Sequence, residues 1–165
     1  MKKVGIIMGS KSDLPVVQKA FDVLRELDIP FEAHIYSAHR TPEQVTAFAR
    51  SAREKGFAVI LAFAGMAAHL AGVIDANTTL PVIGVPCKGP VFDGMDALLA
   101  TVQMPSGVPV STVAVNGGAN AALQAAQILS IEDEALARRL RERRESAAGS
   151  VLDQDAELQT ELTKA

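Results

Sequence analysis

Short aliphatic, β-branched runs alternate with amphipathic segments along most of this chain, and no other feature limits its fold so sharply. The runs are KVGIIMG (3–9), FEAHIYSA (31–38), FAVILAFAG (57–65), LPVIGVP (80–86) and PVSTVAV (109–115). Four of them are apolar almost throughout, the pattern of strands covered on both faces. The second alternates, Phe31, Ala33 and Ile35 against Glu32, His34 and Tyr36, which places it nearer a sheet edge. Between the runs, residues 14–27 set Val16, Val17, Ala20, Phe21, Leu24 and Leu27 at three- and four-residue spacings, one stripe of a helix. Segments 42–55, 66–76, 94–103 and 117–129 are helical in pattern as well. Strand alternating with helix predicts an α/β fold, a five-stranded parallel sheet with helices on both faces and right-handed crossovers. The 165 residues fit one domain with one core, and with aromatics at 4% that core must be built from Ala, Val, Ile and Leu.

The tail departs from this pattern. Residues 131–165 are highly charged, with Leu136, Leu140, Ala147 and Val151 at near-helical spacing. This predicts a core over 1–130 and a C-terminal helical extension with a frayed end, its thin apolar stripe packed on its own subunit or on a neighbour. A formal charge of −3 argues against a general nucleic-acid binder. No apolar run approaches the ~18–20 residues of a membrane span, and the apolar part of MKKVGIIMGS is too short for a signal peptide. Cys87 is the one cysteine, so an internal disulfide and a cysteine-cluster zinc site are both excluded. The expectation is a cytoplasmic protein.

Ligands of an open parallel sheet bind beyond the carboxyl ends of its strands, so the strand-to-helix turns are where chemistry is sought. In the first turn, GSKSDLP, Gly9 permits a tight bend. Ser12 or Asp13 can cap the following helix, with Pro15 in its first turn. Capping does not account for Ser10, which with Asp13 is a candidate ligand group. In the second turn, Thr41 with Gln44 forms the pattern of a capping box, and Pro42 suits the first helical position. That leaves His39 and Arg40 at the ligand edge. A guanidinium can fork two hydrogen bonds onto a phosphate or carboxylate, and an imidazole can give or take a proton near neutrality. In the third turn, AGMAAHLAG, Gly65, Ala67 and Ala68 allow a close backbone approach, and His69 reads as a positioning group. His34 and Cys87 read as structural. The long fourth loop holds Lys88, Asp93 and Asp96 and reads as a lid or a subunit contact, and the NGGAN turn lacks the spacing of a nucleotide motif.

Taken together, GSKSD, SAHRTP and AGMAAHL, followed by LPVIGVP, VQMPSGVPV and GANAALQAAQIL, resemble the bacterial 5-(carboxyamino)imidazole ribonucleotide mutases of de novo purine (IMP) biosynthesis. The likeness runs in order from residue 4 to about residue 130. It implies a flavodoxin-like three-layer subunit in a homo-octamer, with sites between subunits, a ribonucleotide substrate and neither a metal nor an organic cofactor. It also implies His39 as the catalytic residue and Ser10, Asp13 and Arg40 as substrate-binding residues. Ser12, Ser37, Ala38 and Leu70 join them within the same motifs, and Gly65, Ala67 and Ala68, with His69, resemble the wall of a pocket that holds CO2. In the implied reaction the exocyclic nitrogen loses CO2, and ring carbon C4 then attacks it, with His39 giving one proton and removing another. Ala71 and Leu14 stand where the family commonly has Pro and Trp, which implies altered packing with the chemistry retained.

The alternative is a direct aminoimidazole ribonucleotide carboxylase using CO2. That related class typically carries Lys at the position of Arg40 and an AGRSN-like loop in place of AGMAAHL. A non-enzymatic sensor on the same fold fits less well. A phospho-receiver needs an Asp at the end of its third strand, where this chain has Ala64 and Gly65, and a flavin carrier usually brings aromatics to its loops.

Overall fold

A computed structural model of the chain describes residues 2–164. The chain divides into two compact units, one ending at Leu129 and the other beginning at Ser130. In the first unit the strands are β1 (Lys3–Met8), β2 (Phe31–Ile35), β3 (Phe57–Gly65), β4 (Val82–Cys87) and β5 (Ser111–Thr112). The helices are α1 (Leu14–Glu26), α2 (Pro42–Ser51), α3 (Leu70–Asp75), α4 (Met95–Val102) and α5 (Gly118–Ser130). The strands pair in the order β2-β1-β3-β4-β5, every pair parallel. This is the flavodoxin-like order, whose switch point lies between β1 and β3.

The near-continuous apolar runs are buried on both faces. Val4, Ile6 and Ile7 of β1 and Val59, Ile60 and Leu61 of β3 have no exposed surface. On one face Ile7, Ile60, Ala62 and Val82 pack with Val45 and Phe48 of α2 and Leu70 and Ile74 of α3. On the other, the close approach of α5 to α1 needs Gly118, where a side chain would run into the Val16 carbonyl. The stripe expected on α1 is real: Val17, Ala20 and Leu24 are fully buried, each large side chain contributing about 1.5–3 kcal/mol by burial. The alternating strand β2 lies at the sheet edge. There His34 Nε2 pairs with Glu32 Oε1 at 2.8 Å, and its ring stacks on Tyr36, in keeping with a structural role.

Three local expectations are corrected. The fifth run contributes only Ser111 and Thr112 to the ladder, opposite Ile83 and Gly84. Pro109 has no N–H to donate, and an edge strand has no neighbour on its far side to prolong pairing. The third helix begins at Leu70, not near 66, because Met66 sits at a left-handed φ of 52° that no helix accommodates. Thr41 makes no capping box, and its hydroxyl is used elsewhere. Of the two departures, Ala71 is buried and Leu14 is 36% exposed at the start of α1.

In the second unit, α6 (Glu134–Leu162) is one helix, capped by the Asp133 carboxylate accepting from the Leu136 N–H at 2.9 Å. It runs through the stretch where the sequence suggests fraying. Arg141 and Glu134 pair at 2.9 Å, and Val151, Leu152, Leu158 and Leu162 are exposed. Among the described residues no helix is long and apolar enough to cross a membrane.

Candidate active site

Because all strands are parallel, the turns after β1, β2, β3 and β4 leave the sheet at one edge, and they enclose a cavity of about 600 Å³. The first turn contributes Gly9, Ser10, Ser12 and Asp13, and the second Ser37, Ala38, His39 and Arg40. Ala64, Gly65, Met66, Ala67 and Leu70 come from the third, and Lys88, Gly89 and Pro90 from the fourth.

The first turn is held by a reciprocal pair of bonds. Ser10 Oγ accepts from the Ser12 N–H at 3.3 Å, and the Asp13 carboxylate accepts from the Ser10 N–H at 3.1 Å. The Ser12 hydroxyl also donates to Ser10 Oγ at 2.9 Å. Asp13 therefore does not cap α1 with its side chain as the sequence suggests, because its carboxylate turns back over the preceding 3-10 turn. The residue is 9% exposed. Burial raises its pKa above the ordinary carboxylate value, and the Ser10 hydrogen bond offsets part of that rise.

The second turn closes through Thr41, whose Oγ1 accepts from the Ser37 N–H at 2.8 Å and donates to the Ser37 carbonyl at 3.2 Å. A hydroxyl that bonds nearby backbone in this way is lost to the helix cap. The loop it pins presents His39 and Arg40. Arg40 Nη2 donates to the Gly9 carbonyl at 3.2 Å, so the guanidinium ties the second turn to the first. His39 Nε2 lies 2.9 Å from His69 Nδ1, the two rings near-perpendicular at 79° with centroids 5.0 Å apart. Thirty residues apart in sequence, these imidazoles can share one proton between facing nitrogens.

At the end of β3, a Cβ on Gly65 would lie 3.2 Å from the Cys87 carbonyl oxygen, so the close approach of β3 to β4 favours glycine there. Met66 follows, 60% exposed. Ala68 is buried beneath the loop, and it and His69 fall outside the cavity lining; His69 meets the site through His39. Ten of the twelve site residues expected from sequence line the cavity: Ser10, Ser12, Asp13, Ser37, Ala38, His39, Arg40, Gly65, Ala67 and Leu70. Sequence reasoning did not include Gly9, Ala64, Met66, Lys88, Gly89 and Pro90 in the set. The lysine was visible as a charge in a Gly/Pro loop, but its place at the cavity depends on the order of β3 and β4.

Lys88 Nζ pairs with Asp93 Oδ1 at 2.8 Å, raising the lysine and lowering the aspartate from their usual values. Cys87 lies just beneath at 3% exposure. Burial, with a smaller contribution from the Asp13 charge, pushes its thiol up to about 12, which suits packing and not nucleophilic work. Among the described residues no group of three or more His, Cys, Asp or Glu side chains is placed to hold a metal. The site thus offers one histidine pair, one partly bonded guanidinium, hydroxyls, a buried carboxylate and a small-residue wall. That set suits binding of a hydroxylated anion and proton transfer.

Known proteins resemble this chain over most of its length. The family model described as AIR carboxylase matches residues 3–150. The N5-carboxyaminoimidazole ribonucleotide mutase of Bacillus subtilis is 54% identical over 157 residues, covering 94% of this chain and 97% of that protein. The phosphoribosylaminoimidazole carboxylase of Saccharomyces cerevisiae is 56% identical over 130 residues, which are 79% of this chain but 23% of that much longer protein. The crystal structure of Treponema denticola PurE superposes with a TM-score of 0.84 at 30% identity, covering 94% of this chain and 97% of the other.

Proposed function

The chain belongs to the AIR carboxylase family, and from its site and relatives we infer an isomerase of purine biosynthesis that converts 5-(carboxyamino)imidazole ribonucleotide to the 4-carboxy-5-amino isomer. The full-length likeness to bacterial proteins named as the mutase supports this reading. Direct carboxylation of the unsubstituted amine is not favoured, since the relatives that match over most of both chains carry the mutase name. Arg40 and the loop from Ala64 to Leu70 also resemble the mutase class.

The observation that carries the mechanism is the His39–His69 contact at 2.9 Å beside a cavity that also holds Arg40 and Asp13. Loss of CO2 from the exocyclic nitrogen needs a proton there, and His39 in its charged form supplies it. Carbon C4 then attacks the CO2 retained against the small wall at Gly65 and Ala67, and neutral His39 takes the C4 proton. One group thus gives and regains one proton per turnover, so the cycle needs neither ATP nor bicarbonate. His69 accepts from or donates to His39 and so holds its ring and tautomer. Arg40, with the Ser10 and Ser12 hydroxyls, grips anionic oxygens, and the Asp13 carboxylate accepts from sugar hydroxyls. Ser37, Ala38 and Leu70 shape the wall.

The working unit in this reading is a cytoplasmic homo-octamer with residues 1–130 carrying the chemistry and residues 131–165 contacting a neighbouring subunit. Exposed Val91, Phe92, Met95, Leu99 and Val102, clustered in the fourth loop and α4, support burial between copies. The test of function is conversion of the carboxyamino ribonucleotide by purified protein without ATP or added bicarbonate. His39→Asn should keep product binding within about threefold and lower kcat by at least ~100-fold. Near-normal turnover by that variant would remove His39 from its role, and no conversion by the native protein would sink the assignment.

A further inference from the structure

We propose that Lys88 is a second anion-binding cation of the substrate site, held in reserve by Asp93 until an anionic oxygen of the substrate replaces the aspartate. This rests on the isomerase reading, because the argument begins from the charge of that substrate.

The charged groups lining the cavity are Asp13, Arg40 and Lys88. When Asp13 is ionised its charge offsets that of Arg40, and Lys88 is offset by Asp93, so the empty site has little net charge to offer. The substrate brings a phosphate and a carboxylate. Arg40 is already bonded to the Gly9 carbonyl and has one planar fork to give. Lys88 follows β4 and Arg40 follows β2, three strand spacings apart in the sheet order, roughly 14 Å at about 4.8 Å per spacing. The two cations therefore face the cavity from opposite flanks, an arrangement suited to a ligand charged at both ends.

The lysine's backbone is fixed and its head is free to turn. Its N–H donates to Asn116 Oδ1 at 2.9 Å, which fastens the start of the loop. Its Nζ–Asp93 bond joins side chains that are 57% and 82% exposed. In the isolated chain an ion pair that wet is weak and easily exchanged. Asp93 itself stands at a φ of 53° and Gly94 at 93°, a left-handed pair that folds the loop back so that the carboxylate meets Lys88. A side chain on Gly94 would collide with Val115 and crowd Lys88 Cα, so this return is built closely against its neighbours. Asp93 lies outside the cavity lining whereas Lys88 is within it. A small rotation of the lysine stem thus trades one carboxylate for another anion.

The two partners should give effects of opposite sign. At low salt, Lys88→Met should weaken equilibrium binding of the 4-carboxy product about tenfold and raise KM similarly, with kcat within twofold, as expected for a group that binds ground and transition states alike. Asp93→Asn removes the competitor and should tighten binding about two- to fivefold. The double variant should match Lys88→Met, since without the lysine Asp93 has nothing to restrain, and Lys88→Arg should restore most of the affinity. Binding of the decarboxylated amine distinguishes the two anions: a Lys88→Met penalty on both ligands assigns phosphate, and one on the product alone assigns the carboxylate. Circular dichroism and size-exclusion profiles matching the native protein establish that each variant is folded. Product binding by Lys88→Met within twofold of native overturns the proposal. So does Asp93→Asn weakening binding as Lys88→Met does, because Asp93 would then position the lysine and not compete for it. If the native protein binds the product yet fails to isomerise the carboxyamino substrate, the isomerase reading fails while the Lys88 comparison still stands on binding.

Discussion

Replacing Asp13 by Asn should stabilise the protein at neutral pH while impairing its proposed binding role, and the pH dependence of the first effect has a defined sign. Asp13 is 9% exposed, and burial holds its pKa above the unfolded value, with the Ser10 N–H bond at 3.1 Å opposing. A raised folded pKa means that ionisation costs more in the native state than in the unfolded one. The contribution of this group to stability is therefore full below the unfolded pKa, about 3.9, and is lost as pH rises through the folded pKa. Asparagine keeps an oxygen to accept from Ser10 but forgoes the charge-assisted part of that bond, worth about 1 kcal/mol. The relief of burying a neutral group must exceed this because the balance of causes raises the pKa. At pH 7 the net effect is a gain in stability and a higher Tm, each ~1 kcal/mol corresponding to about 2–4 °C for a chain of this size. Thermal melts of both proteins between pH 7 and pH 4 should show the gain shrinking as pH falls through the folded value. Over the same substitution, substrate binding should weaken about 10- to 100-fold, the cost of losing a charged acceptor for sugar hydroxyls. A variant less stable than the native protein at pH 7, or a gain that does not change with pH, would refute the reasoning from burial. A stability gain with unchanged KM would refute the binding role alone.

Two further outcomes are expected. Cys87, with its thiol at about 12 and 3% exposure, should react with a thiol reagent at pH 8 at least ~1,000-fold more slowly than a free cysteine, and at the ordinary rate after unfolding; fast native labelling would contradict its buried placement. Thr41→Ala removes both bonds that close the second turn on Ser37 and should cost about 1 kcal/mol of stability and lower kcat/KM at least fivefold, whereas Thr41→Ser should retain most of both, as melts and initial rates would show.

Much of the fold was legible because the two periodicities that define it lie in the chain itself. Three of the near-continuous apolar runs became strands within two residues at each end, the fifth run shortened to Ser111–Thr112, and the alternating run became an edge strand. What was hidden depended on competition between local alternatives. Thr41 with Gln44 carries the signature of a capping box, yet the same hydroxyl can reach the Ser37 backbone, and loop closure prevailed. Ser12 and Asp13 carry the signature of a helix cap, but a 3-10 turn inserted before α1 made Ser10 the capping residue. Periodicity could not reveal the left-handed Met66 that delays α3, since methionine has no special preference for that conformation. The candidate site was legible where one short motif supplies several groups, as SAHRTP does. It was illegible where a lining residue depends on which strands are neighbours, as Lys88, Gly89 and Pro90 do.

The position of those neighbours follows from register, which links the fold to the proposed chemistry. Met8 is opposite both Ile35 and Phe63, and Gly65 is opposite Cys87, so the first four strands end within two residues of one another. A level edge is what lets turns from four distant segments close over one cavity; in an antiparallel sheet, successive turns would leave at opposite ends. The His39–His69 contact depends on it directly, because these side chains follow β2 and β3, which are separated by β1 and share no ladder bonds. A one-residue slip of β3 on β1 would turn Ile60 and Ala62 away from α2 and α3 and carry His69 about 3.3 Å along the edge, beyond hydrogen-bond reach of His39. The apolar packing that opposes such a slip therefore also sets the histidine distance. The core beneath the site maintains the geometry that the proposed proton transfer requires, although none of its side chains takes part in that step.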